Sequence, residues 1–239
     1  MLLIDAGNSR IKWGAWDAGA WLRYGAVEHT AGALQQAFCG LPAPRKILVS
    51  NVAGDDAAQQ IRSACAAWHG PIEFVIAQAE QCGVRNAYEQ PAQLGSDRWA
   101  ALIAAWHHEH AACLVVNCGT ATTVDALSAT GEFIGGLILP GGDMMRRSLA
   151  SGTVHLNAYE GSWRQFPRNT ADAIYSGTVQ ATAGAICRQY DLLGVHGAHC
   201  LLAGGAADEV WPHLDLPLLR MDDLVLRGLQ IIGQETGSC

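Results

Sequence analysis

The sequence predicts an α/β protein made of two copies of one strand-rich unit that pack closely with a cleft between them. Two observations carry this expectation. First, Leu3-Ile4-Asp5-Ala6-Gly7-Asn8-Ser9 aligns with Val115-Val116-Asn117-Cys118-Gly119-Thr120-Ala121. Each copy is an apolar run, an Asp or Asn, one residue, a Gly and a polar residue. Second, each copy opens a run of strands followed by helix and strand patterns, as a duplication requires.

In the first copy, Leu2 to Gly7 is a short apolar run stopped by Gly and Asn, the mark of a buried strand. Arg10 to Trp16 alternates, and Trp21 to Glu28 is a third strand after the Asp17-Ala18-Gly19 turn. Thr30 to Phe38 reads as a helix closed by Gly40, and Lys46 to Ser50 as a buried strand. Asp56 to Trp68 places Ala57, Ile61, Ala64, Cys65 and Trp68 on one helical face. Ile72 to Ile76 is a strand, and Ser96 to His110 a helix with Ser96 at its capping position.

The second copy begins with strands at Cys113–Asn117, Ala121–Leu127 and Glu132–Leu139. A long helix from Asp172 to Tyr190 is interrupted by Gly177 and Gly184. Cys200 to Ala203 is a strand ending in Gly204-Gly205, with a helix near Ala207 to Trp211 and a closing helix from Asp222 to Ile232. The expected domains are residues 1–111 and 112–239.

Composition excludes several classes. Charged residues are 15% and hydrophobic ones 50% of the 239, too apolar for a disordered chain. The net charge of −7 opposes nucleic-acid binding. No apolar stretch reaches the roughly 18 residues of a membrane span, and no cationic stretch precedes Leu2-Leu3-Ile4, so a cytoplasmic protein is expected. The eight cysteines form no Cys-x-x-Cys pair and read as reduced small hydrophobes.

A strand running into Asp5-x-Gly7-Asn8-Ser9 leaves small polar groups and backbone N–H donors at a tight turn, which suits a triphosphate. Lys12 adds charge, and Asp5 is placed to hold Mg²⁺ through water. A plain hairpin turn is the competing explanation, and the second copy at Asn117–Thr123 weighs against it. The P-loop pattern is absent because Gly142 is followed by Asp143, and the dinucleotide fingerprint is absent because no second Gly follows Gly7 closely.

Gly95-Ser96-Asp97-Arg98 opens a helix, where N–H groups favour anions. Asp97 can accept a hydroxyl proton and Arg98 can pair with substrate charge, although an Asp in a first helical turn also stabilises a helix without any function. His107-His108-Glu109-His110 reads as a solvated helix end rather than a metal site.

Taken together, these motifs resemble the type III pantothenate kinase family, whose fold is the duplicated ribonuclease H-like (actin-like ATPase) pair with a central cleft. Asp5-x-Gly7-Asn8-Ser9-x-x-Lys12 is similar to the family's first phosphate loop, and Cys118-Gly119-Thr120-Ala121-Thr122-Thr123 to its second. Tyr88 with Gly95-Ser96-Asp97-Arg98 matches its pantothenate segment, in which the Asp is the base. Gly135-Gly136-x-Ile138-x-Pro140-Gly141, Asn169-Thr170 and Gly204-Gly205 follow in the family's order, the glycine pair on the adenosine side.

The resemblance implies ATP-dependent phosphorylation of pantothenate to 4′-phosphopantothenate, the first step of coenzyme A biosynthesis. It assigns ATP to Asp5, Ala6, Gly7, Asn8, Ser9, Arg10, Ile11, Lys12 and Thr120. Pantothenate falls to Tyr88, Gly95, Ser96, Asp97, Arg98 and Thr170, with Mg²⁺ on Asp5. A homodimer and a monovalent cation, K⁺ or NH₄⁺, are also implied. One departure concerns that cation: Asn117 stands where the family has the Asp associated with it. Two other readings remain, a non-catalytic relative serving as a transcription accessory factor and a kinase of the same fold for another small molecule.

Overall fold

The computed structural model describes residues 1–151 and 161–235. They form two compact units, one of residues 1–108 with 223–235 and the other of the described residues between 109 and 222.

The first unit holds β1 (Leu2–Ala6), β2 (Ile11–Asp17), β3 (Ala20–Val27), α1 (Ala33–Phe38), β4 (Ile47–Asn51), α2 (Asp55–Ala64), β5 (Ile72–Phe74), the short hairpin β6 (Glu80–Gln81) and β7 (Val84–Asn86), and α3 (Ser96–Glu109). Its main sheet runs β3-β2-β1-β4-β5. β1 and β2 pair antiparallel, with Asp5 opposite Lys12, and β1 and β4 pair parallel, with Asp5 opposite Ser50. Buried on both faces, β1 and β4 open on unbroken apolar runs, Leu2-Leu3-Ile4 and Ile47-Leu48-Val49, and turn polar only towards their ends. Leu2, Ile4, Ile11, Trp13, Phe38, Val49 and Ile61 fill one core, where the Phe38 ring meets Trp13 edge-on at 5.5 Å.

The second unit holds β8 (Cys113–Cys118), β9 (Ala121–Leu127), β10 (Glu132–Pro140), α4 (Gly142–Ser151), α5 (Thr170–Leu193), β11 (His199–Ala203), α6 (Ala207–Val210) and β12 (Leu218–Arg220). Its strands run β10-β9-β8-β11-β12. This is the order of the first sheet, strand for strand, with β8 and β11 again parallel. The expected duplication is therefore present in topology as well as in sequence. Gly177 and Gly184 do not interrupt α5, which is continuous and capped by Asn169.

The last helix, α7 (Leu224–Glu235), differs from expectation. It belongs to the first unit, where it packs against β1, β4 and β2. A Cβ on Gly228 would overlap the Ala100 carbonyl, so this glycine lets α7 lie on α3. The boundary at 112–239 is corrected accordingly: residues 223–235 return to the first unit.

The described cysteines are free thiols, and burial pushes those of Cys113 and Cys200 up to about 12. Cys239 lies outside the described residues.

Candidate functional site

The candidate groups of the first unit collect at the ends of β1 and β4 and at the start of α3. β1 delivers Asp5, and four residues, Gly7 to Arg10, turn the chain into β2. The turn is closed by the Gly7 N–H donating to the Arg10 carbonyl at 3.1 Å, and the Val52 N–H donates to the Ala6 carbonyl at 3.0 Å. Asn8, Ser9 and Arg10 are exposed, whereas the side chains of Ala6 and Ile11 are buried in the core. Those two can meet a ligand only through their backbone. Lys12 lies 3.6 Å from Asp223, on the residue just before α7.

Asp5 is partly buried, and its carboxyl is pushed up to about 7. Burial is the main cause, the charge of Asp97 adds to it, Lys12 opposes it and Asp223 adds a smaller push. The charge at the start of α3 thus reaches the carboxyl at the end of β1, within one unit.

At the start of α3, the Ser96 hydroxyl is buried and hydrogen-bonds the Ser50 hydroxyl at 2.9 Å, tying the helix to the end of β4. This replaces the simple capping role expected for Ser96. The Asp97 carboxylate turns back on its own helix and accepts from the Arg98 N–H at 2.8 Å. Gly95 makes room for it, since a Cβ there would fall 2.6 Å from Asp97 Oδ1. Arg98 is buried; its guanidinium donates to the Tyr88 hydroxyl at 2.9 Å and lies 5.7 Å from the Tyr88 ring centroid. A buried guanidinium held by an aromatic hydroxyl is a ready partner for a substrate carboxylate or carbonyl.

In the second unit, three glycine turns converge. The Gly119-Thr120 turn joins β8 to β9, closed by the Gly119 N–H donating to the Ala121 carbonyl at 3.0 Å. The Gly141 N–H donates to the Thr120 carbonyl at 2.9 Å, and a Cβ on Gly141 would overlap the carbonyls of Gly119 and Thr120. Gly204 has φ +97°, and a Cβ added there would overlap the Cys118 carbonyl and fall 2.7 Å from Asn117 Oδ1. Thr170 is exposed on the first turn of α5. The candidates thus divide between the units: Asp5 to Lys12, Tyr88 and Gly95 to Arg98 in the first, Thr120 and Thr170 in the second.

Three residues of this region escaped sequence reasoning. Ser50 sits inside an apolar run, Asp223 is far away in sequence, and His29 follows β3 and contacts the Gly7 carbonyl at 2.7 Å. An internal Ser at the end of an otherwise apolar strand was the one available signal, since a buried hydroxyl demands a partner.

A family model described as type III pantothenate kinase matches residues 1–191. A type III pantothenate kinase of Aromatoleum aromaticum is 50% identical over 237 residues, covering 98% of both chains. One of Nitrosospira multiformis is 46% identical over 240 residues, covering 99% of this chain and 92% of the other. Among solved structures, a protein described as a Baf family transcriptional activator from Campylobacter jejuni has a TM-score of 0.63 at 22% identity, with 100% of both chains covered. One described as a 2-dehydro-3-deoxygalactonokinase from Sinorhizobium meliloti has a TM-score of 0.60 at 14% identity, covering 100% of this chain and 99% of the other. At those identities the two structures speak for the fold alone, a duplicated ribonuclease H-like α/β pair. The family match and the full-length relatives speak for more: the chain belongs to the type III pantothenate kinase family.

Proposed function

We propose that this chain transfers the γ-phosphoryl group of ATP to the 4′-hydroxyl of pantothenate, with Asp97 as the base. The observation that carries the reading is that the charge of Asp97 reaches the carboxyl of Asp5, while the next residue, the buried Arg98, donates to the Tyr88 hydroxyl. One carboxylate is placed to take a hydroxyl proton, and the guanidinium to hold a charged or polar substrate. Phosphoryl transfer needs little covalent work from the protein; it needs the hydroxyl aligned with phosphorus and the developing charge neutralised.

In this reading Arg98, Tyr88, Gly95 and Thr170 bind pantothenate, with Ser96 fixing the start of α3. Gly7 to Lys12 and Thr120 bind the phosphates, through backbone N–H groups, the hydroxyls of Ser9 and Thr120 and the ammonium of Lys12. The donor set fits Mg²⁺: Asp5 is a hard oxygen ligand in surplus negative charge from Asp97 and Asp223. Among the described residues no three His, Cys, Asp or Glu side chains converge as a metal centre, so the ion would take Asp5, water and phosphate oxygens. Bound there, Mg²⁺ supplies charge neutralisation for the phosphates. A monovalent cation would lie beside Asn117, with weaker support from that neutral side chain.

A homodimer is supported by exposed apolar side chains on β10 and α4, namely Ile134, Leu137, Ile138, Met144 and Leu149. No helix among the described residues is long and apolar enough to cross a membrane, and the net charge of −7 favours small-molecule over nucleic-acid partners. A cytoplasmic location accords with both.

The test is ADP release with ATP and Mg²⁺, with and without pantothenate, alongside sugars and acetate as alternative acceptors. Release that depends on pantothenate is expected. Release that responds equally to another acceptor, or to none, would overturn the assignment and favour one of the other readings.

A further inference from the structure

His29 lies outside every motif that suggested the phosphate loop, yet its ring reaches that loop. β3 ends at Val27, opposite Ile11, so the chain leaves the sheet beside the turn from Gly7 to Arg10. There the partly buried His29 places Nε2 2.7 Å from the Gly7 carbonyl oxygen. A carbonyl can only accept, so Nε2 carries the proton and donates.

The consequence follows from peptide geometry. The described chain has no cis peptide bond, and in a trans peptide the carbonyl and the next N–H point in opposite directions. Fixing the Gly7 carbonyl towards His29 therefore turns the Asn8 N–H the other way. The preceding peptide is tied as well, by the Val52 N–H on the Ala6 carbonyl. Glycine at 7 would otherwise leave this peptide plane free to rotate. Backbone N–H donors serve an anion only when their direction is set beforehand.

We infer that His29 is a positioning residue for ATP: it orients the Gly7–Asn8 peptide so that the Asn8 N–H faces the phosphates. The inference rests on the reading of Gly7 to Lys12 as a phosphate loop.

The test measures KM for both substrates in three His29 variants, with melting temperatures as a check on folding. His29→Phe keeps ring bulk and loses the donor, and should raise KM for ATP about fivefold, the worth of one ordinary hydrogen bond. KM for pantothenate should stay within twofold. His29→Gln, whose amide nitrogen reaches close to the position of Nε2, should recover most of the loss, and His29→Ala should not. Loss of stability without a split between the two KM values, or no rescue by Gln, overturns the proposal. Ser9→Ala with Lys12→Ala tests the loop reading separately. If that pair raises KM for ATP and the His29 variants do not, the loop reading stands and the role of His29 falls. If that pair leaves KM for ATP unchanged, both fall together.

Discussion

Asp97 adds its charge to the burial of Asp5, and together they push the Asp5 carboxyl up to about 7. The two residues are ninety-two positions apart and sit on different elements, a strand and a helix start. Their mutual repulsion is relieved by protonation of Asp5 or by a cation.

The first prediction concerns stability of the metal-free protein. From the ordinary value of 3.8 up to about 7, native Asp5 holds a proton that the unfolded chain has released. Stability must then fall as pH rises through this interval, by on the order of 2–3 kcal/mol from pH 5 to 8. Urea unfolding in chelator across that range should show the fall, and Asp5→Asn should flatten it. Parallel pH profiles in the two proteins would contradict the assignment.

Replacing Asp97 by Asn keeps size and polarity but removes basicity. Turnover should drop about 10²–10⁴-fold with the fold intact by circular dichroism. Gly95→Ala should lower kcat in the same direction, because its Cβ would fall 2.6 Å from Asp97 Oδ1 and displace the carboxylate. A kcat within a few-fold of wild type for Asp97→Asn would remove Asp97 from the role of base.

Arg98 is buried, and the proposed function gives it the carboxylate and hydroxyls of pantothenate. Arg98→Ala should raise KM for pantothenate at least tenfold, because it leaves polar substrate groups unpaired, with little change for ATP. Tyr88→Phe removes only the hydroxyl that holds the guanidinium at 2.9 Å and should show a weaker effect of the same kind. Equal effects on both substrates would mean that Arg98 shapes the site generally.

Gly141 seats its backbone against the turn at Gly119 and Thr120. Gly141→Ala forces the two apart, at a cost of about 1–3 kcal/mol of stability, and should raise KM for ATP. An unshifted melting curve would show that the contact is slack.

Asn117 lies against Gly204, at the end of β8. A neutral amide in place of a carboxylate removes attraction for a monovalent cation on the order of 1–4 kcal/mol, at dielectric constants from 80 to 20. In a KCl titration of turnover at constant ionic strength, Asn117→Asp should reach half-activation at lower K⁺ than wild type. Identical curves would separate residue 117 from cation affinity.

The sequence by itself determined the repeated units and the motif order, because both depend on local pattern. Asp5-x-Gly7-Asn8-Ser9 and Asn117-x-Gly119 each stop an apolar strand with turn residues, and that grammar is written in adjacent positions. Strand identity was legible for the same reason, except for β6, β7 and β12, two or three residues long and too short to show a period. The helix α4 also went unread, at residues just after Gly141. Only the tertiary structure decided where α7 belongs. Its amphipathic pattern demands an apolar surface without saying which, and the choice is made at Gly228, where the backbone of α7 meets Ala100. The same holds for the site. Asp97 could be read from a helix start, but its action on Asp5, the Ser50–Ser96 hydrogen bond and the reach of His29 to Gly7 join residues between 22 and 92 positions apart. Charge coupling and hydrogen bonding act through space, and no periodicity along the chain encodes them.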